Sequence, residues 1–183
     1  PLTNIAKAIQ ADPDFTRSVR RLYIMGGAYW TPGNVRPRKN AEFNLYVDPE
    51  AAGQVFSAGF REIYAVGLDV THEAPVTDEV WELISRADSP PAAIIRALYR
   101  SRVEHPETGQ SYIHDAMAVA AALDPSLITW QQGRVEIQTD DAHRGQSLVT
   151  PGGDVHIAKA VDALAFMRRF YDRLGIDQQR TGS

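Results

Sequence analysis

Two short groups of residues carry the functional groups from which a site could be built. The first is Glu42-Phe43-Asn44, with Asn34 a short loop upstream. A glutamate accepts hydrogen bonds and an asparagine both donates and accepts, which suits a ligand rich in hydroxyl groups. Read as a strand-like segment, the triplet sends Glu42 and Asn44 to one side and Phe43 to the other. The plainer reading is a solvated strand face with Phe43 in the core. The second group is His114-Asp115, where a polar loop over 104–111 meets the apolar run Ala116–Leu123. A helix apolar all round is expected to be buried, with its first turn at the floor of a pocket. A carboxylate beside an imidazole suits a cation ligand next to a proton donor. It suits equally well a helix start whose carboxylate complements the dipole. One carboxylate cannot by itself hold a hard cation such as Ca²⁺ or Mg²⁺.

The remaining candidates are weaker. His72, His105, His143 and His156 stand singly and read as structural. Gly26-Gly27 lacks the third glycine of a dinucleotide fingerprint. No phosphate-loop motif or Gly-x-Ser-x-Gly elbow is present. The chain has no cysteine, which removes disulfides, thiolate metal sites and thiol nucleophiles and fits a reducing cytosol.

The elements that must position these groups follow from periodicity and caps. Residues 3–11 read as a helix, ended by Asp12-Pro13-Asp14. Leu22–Met25 and Ile63–Val66 are short apolar runs, each followed by glycine, as in buried parallel strands. Between them Asp48-Pro49-Glu50 opens a helix that runs to about Ser57, with Ala52, Val55 and Phe56 inward. Asp78-Glu79 opens a helix to about Arg86, Ser89-Pro90 opens another, and His114–Leu123 forms a third that stops at Asp124-Pro125. Short β pieces are predicted around Val135–Ile137, Ser147–Val149 and Val155–Ile157. A last amphipathic helix is predicted from about Lys159 to Leu174, with Val161, Leu164, Met167, Tyr171 and Leu174 on one face. Strand, glycine loop, helix and strand in alternation predict an α/β fold with ligand loops at the carboxyl ends of strands.

The 183 residues suffice for one domain with a real core, here residues 1–183. A net charge of −4 without a basic stripe argues against a nucleic-acid polymer or an anionic membrane as partner. No run approaches the ~20 apolar residues of a membrane helix. The chain opens at Pro1 inside helix-like sequence without an initiator Met, so further sequence is expected upstream.

Three blocks in order along the chain now converge. They are Pro1-Leu2-Thr3-Asn4-Ile5-Ala6; Met25-Gly26-Gly27-Ala28 through Gly33-Asn34 to Ala41-Glu42-Phe43-Asn44 and Asp48-Pro49-Glu50-Ala51-Ala52; and His114-Asp115-Ala116. Leu68-Asp69-Val70-Thr71-His72 and Arg144-Gly145 add lesser echoes. Together they closely resemble the inosine-uridine-preferring nucleoside hydrolases over almost the whole chain.

The resemblance implies an open, mostly parallel α/β sheet with flanking helices, incomplete at the amino terminus. It implies hydrolysis of the N-glycosidic bond of ribonucleosides to ribose and free base, assisted by Ca²⁺, in a cytoplasmic protein that is commonly dimeric or tetrameric. Asp115 matches the aspartate that ligates calcium and contacts the ribose, and His114 the histidine that protonates the leaving base. Asn34, Glu42 and Asn44 match residues that bind the ribose, chiefly towards its 5′ side. The family's aspartate-rich amino-terminal motif, which supplies most calcium ligands and the general base, is absent. The loop from Asn34 to Glu42, carrying Arg36, Arg38 and Lys39, is longer than the family's. Tyr99 and Tyr112 could stack on the base, although core packing accounts for them as well. The alternative expectation is a non-catalytic ribose- or nucleoside-binding module, or an inactive piece that needs a partner segment.

Overall fold

A computed structural model describes residues 1–36, 40–104 and 110–176. Arg38, Lys39, His105 and most of the loop over 104–111 lie outside the described residues.

The chain runs α1 (Thr3–Ala11), α2 (Phe15–Ser18), β1 (Leu22–Met25), α3 (Phe43–Val47), α4 (Pro49–Ser57), β2 (Ile63–Val66) and α5 (Leu68–Thr71). It continues through α6 (Asp78–Arg86), α7 (Pro90–Glu104), α8 (His114–Leu123), β3 (Ile128–Ile137), β4 (Ser147–Val161) and α9 (Ala163–Leu174). The sheet has the order β1-β2-β4-β3; β1, β2 and β4 are parallel, and β3 lies antiparallel on β4. The open, mostly parallel α/β fold expected from the alternation of strand and helix is therefore present.

Strand alternation builds two cores. Ile24, Ile63, Ala65 and Ile157 face one side, where Ala52 and Val55 of α4 and Ala6 of α1 cover them. Val66 and Ala158 face the other side, against Val70 of α5, Met117, Ala118 and Ala121 of α8, and Phe166 of α9. Both faces are covered by helices, which is why the parallel strands read as continuous apolar runs. Among the described residues no helix is long and apolar enough to cross a membrane.

Four expectations need correction. Glu42-Phe43-Asn44 is not a strand: Glu42 is the N-cap of α3, and Phe43 is 58% exposed rather than in the core. The three β pieces are parts of two long strands. The break between them is a bulge at Pro151–Asp154, where pairing jumps from Arg134↔Thr150 to Gly133↔Val155. A Pro-Gly-Gly-Asp run has the chemistry of a turn, but here the second glycine lets the backbone pass Arg134, whose N a Cβ on Gly153 would approach to 2.5 Å. The last helix starts later than expected, because Lys159–Val161 complete β4 and Asp162 caps α9 through the N–H of Ala165. With that shift Leu164 is 71% exposed, and Phe166 is the buried anchor. Finally, α8 buries only one side. Val119 and Leu123 stand exposed over an apolar groove shared with Phe166 and Phe170.

The register of α9 gives a direct check. Phe166→Ala is expected to lose about 3–5 kcal/mol of unfolding free energy in urea, and Leu164→Ala less than about 0.5 kcal/mol. Equal losses would return Leu164 to the core and contradict this register.

Candidate active site

The carboxyl ends of β1 and β2 lie side by side; the Asn34–Glu42–Asn44 group follows β1, and α5, which follows β2, reaches His114 at the start of α8. After β1 the chain turns at Gly26-Gly27. Gly27 has φ +96°, which favours glycine, and a Cβ there would overlap the Tyr29 ring at 2.3 Å. The turn is held by Glu42, which is 2% exposed. Its Oε2 accepts from the N–H of Gly27 (3.1 Å) and of Leu45 (3.2 Å), and its Oε1 from that of Asn44 (2.9 Å). One side chain thus caps a helix and pins a glycine turn. Burial pushes the Glu42 carboxyl above the usual glutamate range, and the three N–H donors pull it back only part of the way.

Asn44 sits in the first turn of α3, with its Nδ2 donating to the Met25 carbonyl at 3.3 Å. Asn34 Oδ1 accepts from the Phe43 N–H at 2.9 Å. Gly33 is needed here because Ala41 crosses so closely that a Cβ would lie 2.0 Å from its carbonyl oxygen. Asn34, Glu42 and Asn44 therefore form one cluster around the start of α3. They reach it through cap geometry rather than through strand alternation.

After β2, Leu68 N donates to the Gly27 carbonyl at 2.8 Å, which ties α5 to the glycine turn. Asp69 Oδ2 accepts from the Tyr29 N–H (3.0 Å) and Oδ1 from that of Trp30 (2.7 Å). At the other end of α5 the Thr71 hydroxyl lies 2.8 Å from Nδ1 of His114. The half-buried His114 also packs against Tyr112 and His72, with ring centroids 5.6 and 5.9 Å away. With Asp115 it lines a cavity of about 210 Å³ walled by Ile95, Leu98, Tyr99 and Phe170.

Asp115 itself is exposed at the first turn of α8, not buried as a pocket floor would require. Among the described residues no three His, Asp or Glu side chains converge on a point that could hold a metal ion.

The sequence marks His72 as an isolated structural histidine, yet its ring lies 4.4 Å from that of Tyr112, tilted by 32°, and borders His114. Burial keeps its pKa below the usual histidine value, against the pull of Asp69 and Glu73. His143 and His156 are elsewhere, one beside Asp140 and the other stacked on Tyr64. Tyr99 donates to the Tyr112 carbonyl at 3.0 Å and packs in the core, whereas the Tyr112 ring lies among the site histidines. The only local signal for Thr71 and His72 was the short block Leu68–His72.

This arrangement defines an α/β protein with its candidate site at the carboxyl ends of adjacent parallel strands. The model of the inosine-uridine preferring nucleoside hydrolases matches residues 1–168, and the chain belongs to that family. It is 34% identical to a probable uridine nucleosidase 2 of Arabidopsis thaliana, over 95% of this chain and 58% of that protein. It is 36% identical to an inosine-uridine preferring nucleoside hydrolase of Leishmania major, over 77% of this chain and 45% of that one. Among solved structures, a plant nucleoside hydrolase superposes with a TM-score of 0.86 at 34% identity, over 95% of this chain and 59% of that chain. A purine-preferring ribonucleoside hydrolase from Gardnerella vaginalis gives 0.80 at 27% identity, over 95% and 58%. The chain thus spans from under half to about three-fifths of the length of these relatives.

The buried carboxylate has a measurable signature. Because its folded pKa is raised, the native state holds a proton over a pH window in which the unfolded chain has released it. The stability it adds is complete below the ordinary glutamate value and is lost as pH rises through the folded value. The unfolding free energy of the wild type relative to Glu42→Gln is expected to fall across that window. A pH-independent difference would contradict the assignment.

Proposed function

We propose that the complete protein hydrolyses the N-glycosidic bond of ribonucleosides to ribose and free base. The observation that supports this reading is a chain of hydrogen bonds that runs from the end of β1 to the start of α8. The Asn34–Glu42–Asn44 cluster and the His114 cluster are linked through Gly27 and α5, in a chain of the nucleoside hydrolase family.

In this reading the ribose lies against the start of α3. Asn44 and Asn34 carry amide groups suited to its hydroxyls. Glu42 accepts three backbone N–H bonds, so of its roughly four lone-pair sites about one is left for a ribose hydroxyl. Its larger role is to hold the wall in place. His114 donates a proton to the departing base, which makes the base a better leaving group. The bond from C1′ to the base nitrogen breaks towards the base, water bonds through its oxygen to C1′ and releases one proton, which balances the proton His114 gave to the base, and positive character on the sugar is stabilised by nearby carboxylates.

Asp115 would offer one carboxylate to calcium, which takes six to eight oxygen ligands. The described residues do not by themselves fit such a site. A cytoplasmic homo-oligomer, dimer or tetramer, is inferred from the resemblance. The exposed Asp115 and, among the described residues, the lack of a convergent ligand set also favour a second reading, in which this segment binds ribose or a nucleoside but needs a partner segment for turnover.

Assays of the full-length protein with inosine and uridine, with and without a chelator, test the proposal. Release of free base that chelation abolishes is expected; intact nucleosides in the presence of calcium would overturn it, and binding without turnover would favour the second reading. His114→Ala is expected to slow inosine hydrolysis by about 10²–10⁴-fold. Cleavage of a nitrophenyl riboside, whose leaving group needs no proton, should be slowed far less. Equal losses on both substrates would remove His114 from the acid role.

A further inference from the structure

The short helix α5 does more than follow β2. Thr71 is completely buried between Val70 and Ala74, both of which belong to the apolar core. A valine would fill that volume with no hydroxyl to satisfy. The Thr71 hydroxyl lies 2.8 Å from Nδ1 of His114, across a sequence separation of 43 residues. The other end of α5 is fixed independently: Asp69 accepts the amides of Tyr29 and Trp30, and Leu68 N donates to Gly27. The hydroxyl is therefore presented from a helix that cannot easily rotate or slide.

We propose that Thr71 is a positioning residue for His114, holding Nδ1 so that the imidazole presents Nε2 to the leaving base in one fixed orientation. This rests on the reading of His114 as the acid. A hydroxyl suits the task because it can accept from Nδ1–H or donate to bare Nδ1, and so grips the ring whichever nitrogen carries the proton. The packed rings of Tyr112 and His72 restrict the imidazole sideways but cannot choose between its two flipped positions, because stacking contacts are alike for both. The hydrogen bond to Thr71 does distinguish the nitrogens.

The test uses the full-length protein in the presence of calcium, with the variants Thr71→Val, Thr71→Ser and His114→Ala. Thr71→Val keeps the shape and removes the hydroxyl. It is expected to lower kcat on inosine by about tenfold or more, to change KM little, and to leave nitrophenyl riboside cleavage near wild type. Thr71→Ser should regain most of the lost rate. Wild-type turnover of Thr71→Val, or equal losses on the two substrates while His114→Ala remains selective, would overturn the positioning role. Equal losses in His114→Ala itself would instead sink the acid assignment on which it rests. A further measurement needs no variant: the side-chain ¹⁵N resonances of His114 in the unaltered protein should report an Nδ1 that is hydrogen-bonded in whichever protonation state is populated. An Nδ1 without a hydrogen bond would contradict the proposal even if Thr71→Val failed to fold.

Discussion

One buried carboxylate organises this site. Glu42 gathers the N–H groups of Gly27, Asn44 and Leu45, and in doing so joins the end of β1 to the start of α3. Burying an ionisable group is costly unless it is hydrogen-bonded, and here three backbone donors offset much of that cost. The donors are themselves amides that would lack partners at a turn and a helix start. Glu42, which we propose faces the ribose, is therefore first of all a structural clamp. Whatever it contributes to a sugar comes from the part of its oxygen capacity that the backbone leaves over.

From that clamp the geometry spreads outward. The Gly27 turn has its carbonyl bound by Leu68 of α5, and the loop beyond it has two amides held by Asp69. α5 in turn presents Thr71 to His114 at the start of α8. The start of α3 and the His114 cluster are thus connected by backbone and side-chain hydrogen bonds through one four-residue helix. Such a connection suits the proposed proton transfer from His114, which requires a positioned donor.

Much of this was legible in the sequence, and the failures have physical causes. β1 and β2 were marked by apolar runs ending in glycine, and α4 by Asp48 capping ahead of Pro49. The start of α3 was misread because five helical residues are too few to show a 3.6-residue period. That helix is specified by the Glu42 cap and by Asn34 accepting from Phe43, contacts that pattern alone cannot supply. Pro151-Gly152-Gly153-Asp154 carried turn chemistry but served as a bulge within a long strand. His72 looked isolated because its neighbours, Tyr112 and His114, are about forty residues away and arrive only with the fold. The resemblance to nucleoside hydrolases, and not periodicity, gathered Asn34, Glu42, Asn44, His114 and Asp115 into one candidate site.

We propose that the α3 start and the His114 cluster are two walls of a single nucleoside site. A crystal structure of the full-length protein with calcium and a non-hydrolysable nucleoside analogue is the decisive measurement. Ribose hydroxyls are expected within about 3.2 Å of Asn34, Glu42 or Asn44, with the base beside His114. A ribose bound in full occupancy away from the start of α3, or a base remote from His114, would contradict it.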